Sequence, residues 1–170
     1  MCSDVRGASE RAIQKHAAAG VADRIRYECI DARCIPYVEH FDLVVFKSVL
    51  GAVSGPDRRV AQAGAIAEMH RALKRGGELF FAENLIGSPA HRFFRSRFVP
   101  WGSSWRYVSI REMLGFLAPF AEVRYAALGF AGAFGRTHDQ RDALGRLDQA
   151  VFERLVPPRW RYIMTGVARK

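Results

Sequence analysis

Asp31 ends an alternating stretch, residues 25–30, in which Ile25, Tyr27 and Cys29 point one way and Arg26 and Glu28 the other. That alternation is the pattern of a half-exposed edge strand. In an open α/β sheet, ligands bind beyond the carboxyl ends of the strands. A carboxylate there can only accept hydrogen bonds, so it suits an amino or hydroxyl group. Asp is also a common turn former, and that reading stands beside the first. Phe46, Lys47 and Ser48 occupy a second such end, after the apolar run 41–46. Residues 87–107 gather His91, Arg92, Arg95 and Arg97 among Phe93, Phe94, Phe98, Trp101, Trp105 and Tyr107. Mixed arginines and aromatics suit a planar or anionic substrate, or stacked single-stranded RNA. The alternative is a long loop packed down by its own aromatics. His91 or His138 would serve as a base only if it lay near an oxygen nucleophile, and no catalytic residue is assigned.

These residues need elements to hold them. Residues 9–19 read as a helix capped by Ser9, with Ala12, Ile13, His16 and Ala17 on one face and Gly20 at its end. The run 41–46 is apolar enough for a strand buried on both faces of a parallel sheet. A helix starts at Ser54 with Pro56 in its first turn, and its face is Val60, Ala63, Ile66, Met69 and Leu73. Gly76-Gly77 stops it, and residues 78–83 form another central strand. Residues 87–107 read as irregular. Ser109 to Glu112 is a capping box, and a helix with Ile110, Met113, Leu114 and Leu117 on its face ends at Pro119. Residues 123–129 suit a strand. A second capping box, Thr137 to Gln140, opens a helix with Leu144, Leu147, Val151 and Leu155 on one face, ended by Pro157-Pro158. Residues 162–168 alternate as a final strand. Strands alternating with helices predict a layered α/β fold.

Composition narrows the classes. The 170 residues are 49% apolar and 25% charged, an ordinary globular composition for a single domain over residues 1–170. No apolar run approaches the ~20 residues of a membrane span, and no signal region opens the chain, so the expectation is a cytoplasmic protein. Three cysteines, Cys2, Cys29 and Cys34, give neither a disulfide framework nor a zinc site, and no metal is expected. The net charge of +9 favours association with anions in general. The sequence contains no G-x-S-x-G elbow, no G-x-x-x-x-G-K-[ST] loop and no G-x-G-x-x-G fingerprint, which removes the hydrolase, P-loop and dinucleotide readings.

Three segments together resemble the class I S-adenosylmethionine-dependent methyltransferases. They are the strand 26–32 ending in Asp31-Ala32, the strand Phe41-Asp42-Leu43-Val44-Val45-Phe46 followed by Lys47-Ser48-Val49-Leu50, and the turn Met69-His70-Arg71-Ala72-Leu73-Lys74-Arg75-Gly76-Gly77-Glu78-Leu79. Residues 107–123 add a weaker match. The resemblance implies a Rossmann-like sheet, mostly parallel with an antiparallel last strand, and S-adenosyl-L-methionine as cofactor. Asp31 would hold the adenine amino group, Ala32 would let the base approach, and Phe46, Lys47 and Ser48 would line the cofactor pocket. His91, Arg92, Trp101 and Trp105 would contact a small-molecule substrate. The family's first strand and its glycine-rich loop have no counterpart, so the expectation is a truncated domain whose residues 41–46 become a sheet edge. The acid that would hold the ribose aligns with Gly7, with Asp4 three residues away. The predicted function is methyl transfer to a small molecule. The alternative is a non-catalytic remnant serving as an interaction or dimerisation module, and RNA and a homodimer are the further partners considered.

Overall fold

The computed structural model describes residues 1–99 and 104–170. Among the described residues, six strands form two sheets. β1 (Cys2–Asp4) pairs in parallel with β2 (Tyr27–Cys29), Asp4 standing opposite Cys29. A separate four-stranded sheet has the order β3–β4–β6–β5, made of β3 (Phe41–Lys47), β4 (Leu73–Asn84), β5 (Glu122–Leu128) and β6 (Ile163–Arg169). β3 and β4 are parallel, whereas β6 runs antiparallel to both of its neighbours. The fold is α/β with a mixed sheet.

The strand β1 was not anticipated from sequence, because three residues are too few to show a period. β2 pairs with it rather than moving across to β3, and β3 therefore has no strand on its outer side among the described residues. That corrects the expectation of a strand buried on both faces. Leu43 is 49% exposed and Val45 68%, while Phe46 is buried.

The helices are α1 (Glu10–Ala18), α2 (Arg58–Ala72), α3 (Pro89–Phe98), α4 (Ile110–Phe116) and α5 (His138–Leu147). Ser9 caps α1 as expected, but no residue of α1 is buried. Asp57, not Ser54, caps α2, its side chain accepting from the Arg59 and Val60 N–H groups, and Pro56 lies outside the helix. The buried face of α2 is Gln62, Ala65, Ile66, Met69 and Ala72, with Val60 exposed. Burial of the Gln62 amide rotates the face from the one the apolar residues suggested. Its Nε2 donates to the Leu50 and Arg106 carbonyls at 2.9 and 3.1 Å, and its Oε1 accepts from the Arg106 guanidinium. α2 ends at Ala72, before Gly76-Gly77, and the chain extends at once into the twelve-residue β4.

The segment read as irregular contains α3, opened by a Ser88–His91 capping box. Histidine at the fourth position hid the box from a search for Glu or Gln. The boxes at Ser109–Glu112 and Thr137–Gln140 form as read. The last predicted helix is broken by a π turn, Asp148–Phe152, before a final short turn, Glu153–Leu155. Its buried residue is Asp148, and Leu147, Val151 and Leu155 are exposed. The core lies between the four-stranded sheet and α2 and α4, around Leu50, Ile66, Leu79, Met113, Leu117 and Met164. No helix among the described residues is long and apolar enough to cross a membrane.

Candidate functional site

A cavity of about 550 Å³ opens between the two sheets, at the carboxyl ends of β1, β2 and β3. Asp31, Ala32, Phe46, Lys47 and Ser48 all line it, so all five expected cofactor contacts share one space. The volume is within the range of small-molecule sites.

Asp31 is fixed by its own turn. Its Oδ1 accepts from the Arg33 N–H at 2.9 Å, the Arg33 Nε lies 3.1 Å from each carboxylate oxygen, and Nη2 is 2.6 Å from Oδ2. These bonds to the Arg33 side chain and amide hold the Asp31 carboxyl below the usual carboxylate range. Arg33 Nη1 in turn donates to the Ser54 carbonyl at 2.9 Å. The turn-former and strand-end readings of Asp31 are therefore both true of its position.

Ser48 is the second fixed point. Its φ of +53° puts a non-glycine residue in the left-handed region, a conformation that costs about 1–3 kcal/mol and that clusters at functional sites. Its N–H donates to the Ala82 carbonyl at 2.8 Å, and its hydroxyl accepts from Asn84 Nδ2 at 3.0 Å. Phe46 is buried and stacks on Phe81 at 6.3 Å, while Lys47 is exposed.

Two further acids shape this region, Asp4, which the sequence reading set three residues from the aligned position, and Glu83, which it missed. Asp4 ends β1 and lines the same cavity, its Oδ1 accepting from the Arg6 N–H at 2.8 Å. The alignment that set Gly7 at this strand end is corrected, because the strand stops at Asp4 and Gly7 lies in the following turn. Glu83 is fully buried, and its Oε2 accepts from the Val49 and Leu50 N–H groups at 2.9 and 2.8 Å while Oε1 accepts from Asn84 N at 3.0 Å. Burial pushes its carboxyl above the ordinary range. It holds the turn that follows Ser48. No periodic pattern marks such a residue, since its neighbours in β4 are those of any central strand. Among the described residues, no glycine lines the cavity.

The expected substrate contacts do not converge. His91 is 1% exposed. Its Nδ1 accepts from the Ser88 N–H at 3.2 Å and pairs with the Ser88 hydroxyl at 2.8 Å, and its Nε2 faces the Phe130 carbonyl at 2.9 Å. These partners select the neutral ring with the proton on Nε2. The ring stacks on Phe134 at 4.7 Å and Tyr162 at 5.8 Å, and burial depresses its pKa. His91 borders a second cavity, of about 580 Å³, whose lining includes neither Arg92 nor Trp105. Arg92 is exposed on α3, and the Trp105 indole packs against Gly51. Trp101 lies outside the described residues. His138 is exposed at the start of α5. Asp148, which sequence reasoning passed over, accepts from the Phe130, Ala131 and Gly132 N–H groups at 2.9, 2.7 and 2.9 Å and shapes the segment that contacts His91. Among the described residues, no group of acids, histidines or cysteines could hold a metal ion.

Residues 3–81 match the model of a family described as methyltransferase domain. No curated protein matches the chain in sequence. Among solved structures, the chain is similar to the cyclase SpnF, with 18% identity and a TM-score of 0.57 over 94% of this chain and 60% of that one. It is similar to the Haemonchus contortus phosphoethanolamine N-methyltransferase 2 in complex with S-adenosyl-L-methionine, with 13% identity and a TM-score of 0.57 over 94% of this chain and 40% of that one. It also resembles the N-methyltransferase NodS from Bradyrhizobium japonicum, with 18% identity and a TM-score of 0.53 over 99% of this chain and 71% of that one. The chain thus spans less than two thirds of each of the first two proteins. The chain shares the fold of these methyltransferase structures, and its residues 3–81 match the methyltransferase-domain model.

Proposed function

We propose that this chain forms the adenosine side of an S-adenosylmethionine site and belongs to a methyltransferase acting on a small molecule. The carrying observation is the single cavity shared by Asp4, Asp31, Ala32, Phe46, Lys47 and Ser48. The cofactor supplies an electrophilic methyl group on a sulfonium. Asp31 accepts a hydrogen bond from the adenine amino group, and Ala32 lets the base come close. Asp4, a carboxylate at the neighbouring strand end, accepts from the ribose hydroxyls. Glu83 and Asn84 hold the Ser48 turn in its left-handed conformation, so the rim of the site is set before any ligand arrives. Methyl transfer at a sulfonium depends largely on positioning, so the chemistry does not require a dedicated acid–base pair.

The cavity wall carries no glycine to admit a close backbone approach to the methionine part, so cofactor binding by this chain is weak. Titration with S-adenosylhomocysteine followed by amide NMR tests the reading. The expected result is fast-exchange shifts at Asp31, Ala32 and residues 46–48, with a dissociation constant above the micromolar range. Shifts confined to other residues, or none at millimolar ligand, would overturn it.

A second reading, a dimerisation module, is favoured by one observation. β3 has no strand on its outer side among the described residues, and it exposes Leu43 and Val45. A sheet edge of this kind templates pairing with another chain.

A further inference from the structure

The second cavity has a composition of its own. It opens between α3 and the segment joining β5 to α5, and it is walled by Phe94 and Phe98 from one side and Phe134 from the other. The Phe94 ring lies 5.4 Å from Phe98 and 5.0 Å from Phe134, which makes an aromatic corner. Three arginines, Arg95, Arg136 and Arg141, complete the lining, and no acidic side chain takes part in it.

None of the three arginines has a carboxylate within ion-pair distance among the described residues. Arg95 is half-buried. Its Nη1 donates to the Leu85 and Ile86 carbonyls at 2.6 and 3.1 Å, and its guanidinium lies 4.0 Å over the Tyr107 ring. Carbonyls and a ring face satisfy its donors but leave its positive charge uncompensated, a costly state for a group removed from water. Burial accordingly pulls the Arg95 guanidinium pKa down. Arg141 donates from Nε to the Gly135 carbonyl at 2.9 Å, and the absence of a side chain at Gly135 allows this approach: a Cβ there would sit 2.7 Å from Arg141 Cγ. The Arg136 side chain makes no hydrogen bond among the described residues and is exposed at the cavity rim.

The position is apt for an acceptor. Leu85 and Ile86, which Arg95 holds, directly follow the carboxyl end of β4, and Asn84 one residue earlier is bonded to Ser48 on the first cavity. Residues 84–86, at the carboxyl end of β4, thus link Ser48 on the first cavity to Arg95 on the second.

We propose that this second cavity is the acceptor site, and that it takes a small molecule joining an anionic head, carboxylate or phosphate, to a flat apolar body. The proposal rests on the methyl-transfer reading above. The head pairs with Arg136 and Arg141 and offsets the charge of Arg95, and the body stacks in the corner of Phe94, Phe98 and Phe134. Guanidinium groups favour both heads, because their donor fork matches paired oxygens. An aromatic corner alone would bind acid and neutral analogue equally.

The test uses the full chain and three probes: 2-naphthoate, 2-naphthyl phosphate and the uncharged 2-naphthamide, each followed by amide NMR. The expected result is shifts at residues 94–98 and 133–136, with at least one acid binding about tenfold more tightly than the amide, the size of one charge-assisted hydrogen bond. Whichever acid binds more tightly names the head. Arg136→Gln and Arg141→Gln should each remove most of this preference, and Arg136→Lys should keep part of it. Equal binding of acids and amide, unchanged preference in both glutamine variants, shifts elsewhere, or tighter binding of an oligouridylate at the same residues would each overturn the proposal. A parallel titration with S-adenosylhomocysteine reads the first cavity alone, so failure of the cofactor reading shows there and failure of this one in the naphthyl series.

Discussion

Arg33 grips the Asp31 carboxylate from two residues away, with Nη2 at 2.6 Å from Oδ2 and Nε at 3.1 Å from both oxygens. The acid at the end of β2 is thus already oriented and already ionised before a ligand reaches it. An adenine amino group would share a carboxylate that Arg33 holds in place.

This relationship separates two variants. Asp31→Ala removes the acceptor and should weaken binding of adenosine or S-adenosylhomocysteine by about 1.5–3 kcal/mol, the value of a hydrogen bond to a charged group. Arg33→Ala frees the carboxylate, so the Asp31 pKa should rise toward its ordinary value while the acceptor remains. Carboxyl-carbon NMR titration reads the second effect, and ligand titration the first. Unchanged adenosine affinity in Asp31→Ala would remove Asp31 from the site.

The outer side of β3 gives a prediction about assembly. The strand has no neighbour at that edge among the described residues, exposes Leu43 and Val45 on one face, and carries no lysine until Lys47. The net charge of +9 opposes self-association at low salt, and salt screens it with a Debye length near ~10 Å at about 0.1 M. Sedimentation should show association growing with salt, and Val45→Lys should shift it back toward monomer. A sharp monomer at every salt concentration would defeat the dimerisation reading.

His91 gives a pH dependence of stability. Burial lowers its folded pKa below the ordinary value of about 6.5. Between those two values the unfolded chain binds more protons than the folded one, so stability rises with pH by up to about 1.4 kcal/mol per unit. The full contribution is present above about pH 6.5 and is lost as the pH falls through the folded pKa. Thermal unfolding from pH 8 to 5 should show this fall, and His91→Phe should flatten it while lowering stability overall, because Ser88 N and the Phe130 carbonyl lose their partner. An equal slope in the variant would assign the dependence to other groups.

Gly51 tests the packing of the aromatic segment. A Cβ at this position would lie 1.7 Å from Trp105 Nε1. Gly51→Ala should cost about 1–3 kcal/mol or more through overpacking. Chemical denaturation measures it, and a stability within error of the parent would show that Trp105 moves away freely.

The sequence alone determined the local, repeating features. Ser9, Ser109 and Thr137 cap their helices as read, because a cap depends on contacts within four residues. The alternation of strands and helices fixed the α/β class, and the strand ends at Asp31 and Ser48 were legible because one follows an alternating stretch and the other an apolar run. What only the tertiary structure decided involves partners far apart in the chain. β3 stands at the edge of its sheet and leaves Leu43 and Val45 exposed on one face, and the apolar run of residues 41–46 cannot announce its neighbours. The buried face of α2 turned on Gln62, a polar residue satisfied by Leu50 and by Arg106, 44 positions away. Asp148 and Glu83 are buried for the same reason, each answering backbone N–H groups of a distant segment. Burial of a polar group is favourable only where the fold supplies its hydrogen-bond partners, and those partners exist only once the chain has closed on itself. That is also why His91 is a packed ring with both nitrogens engaged at the border of the second cavity, while Arg136 and Arg141, distant in sequence from Phe94, came to share that cavity with it.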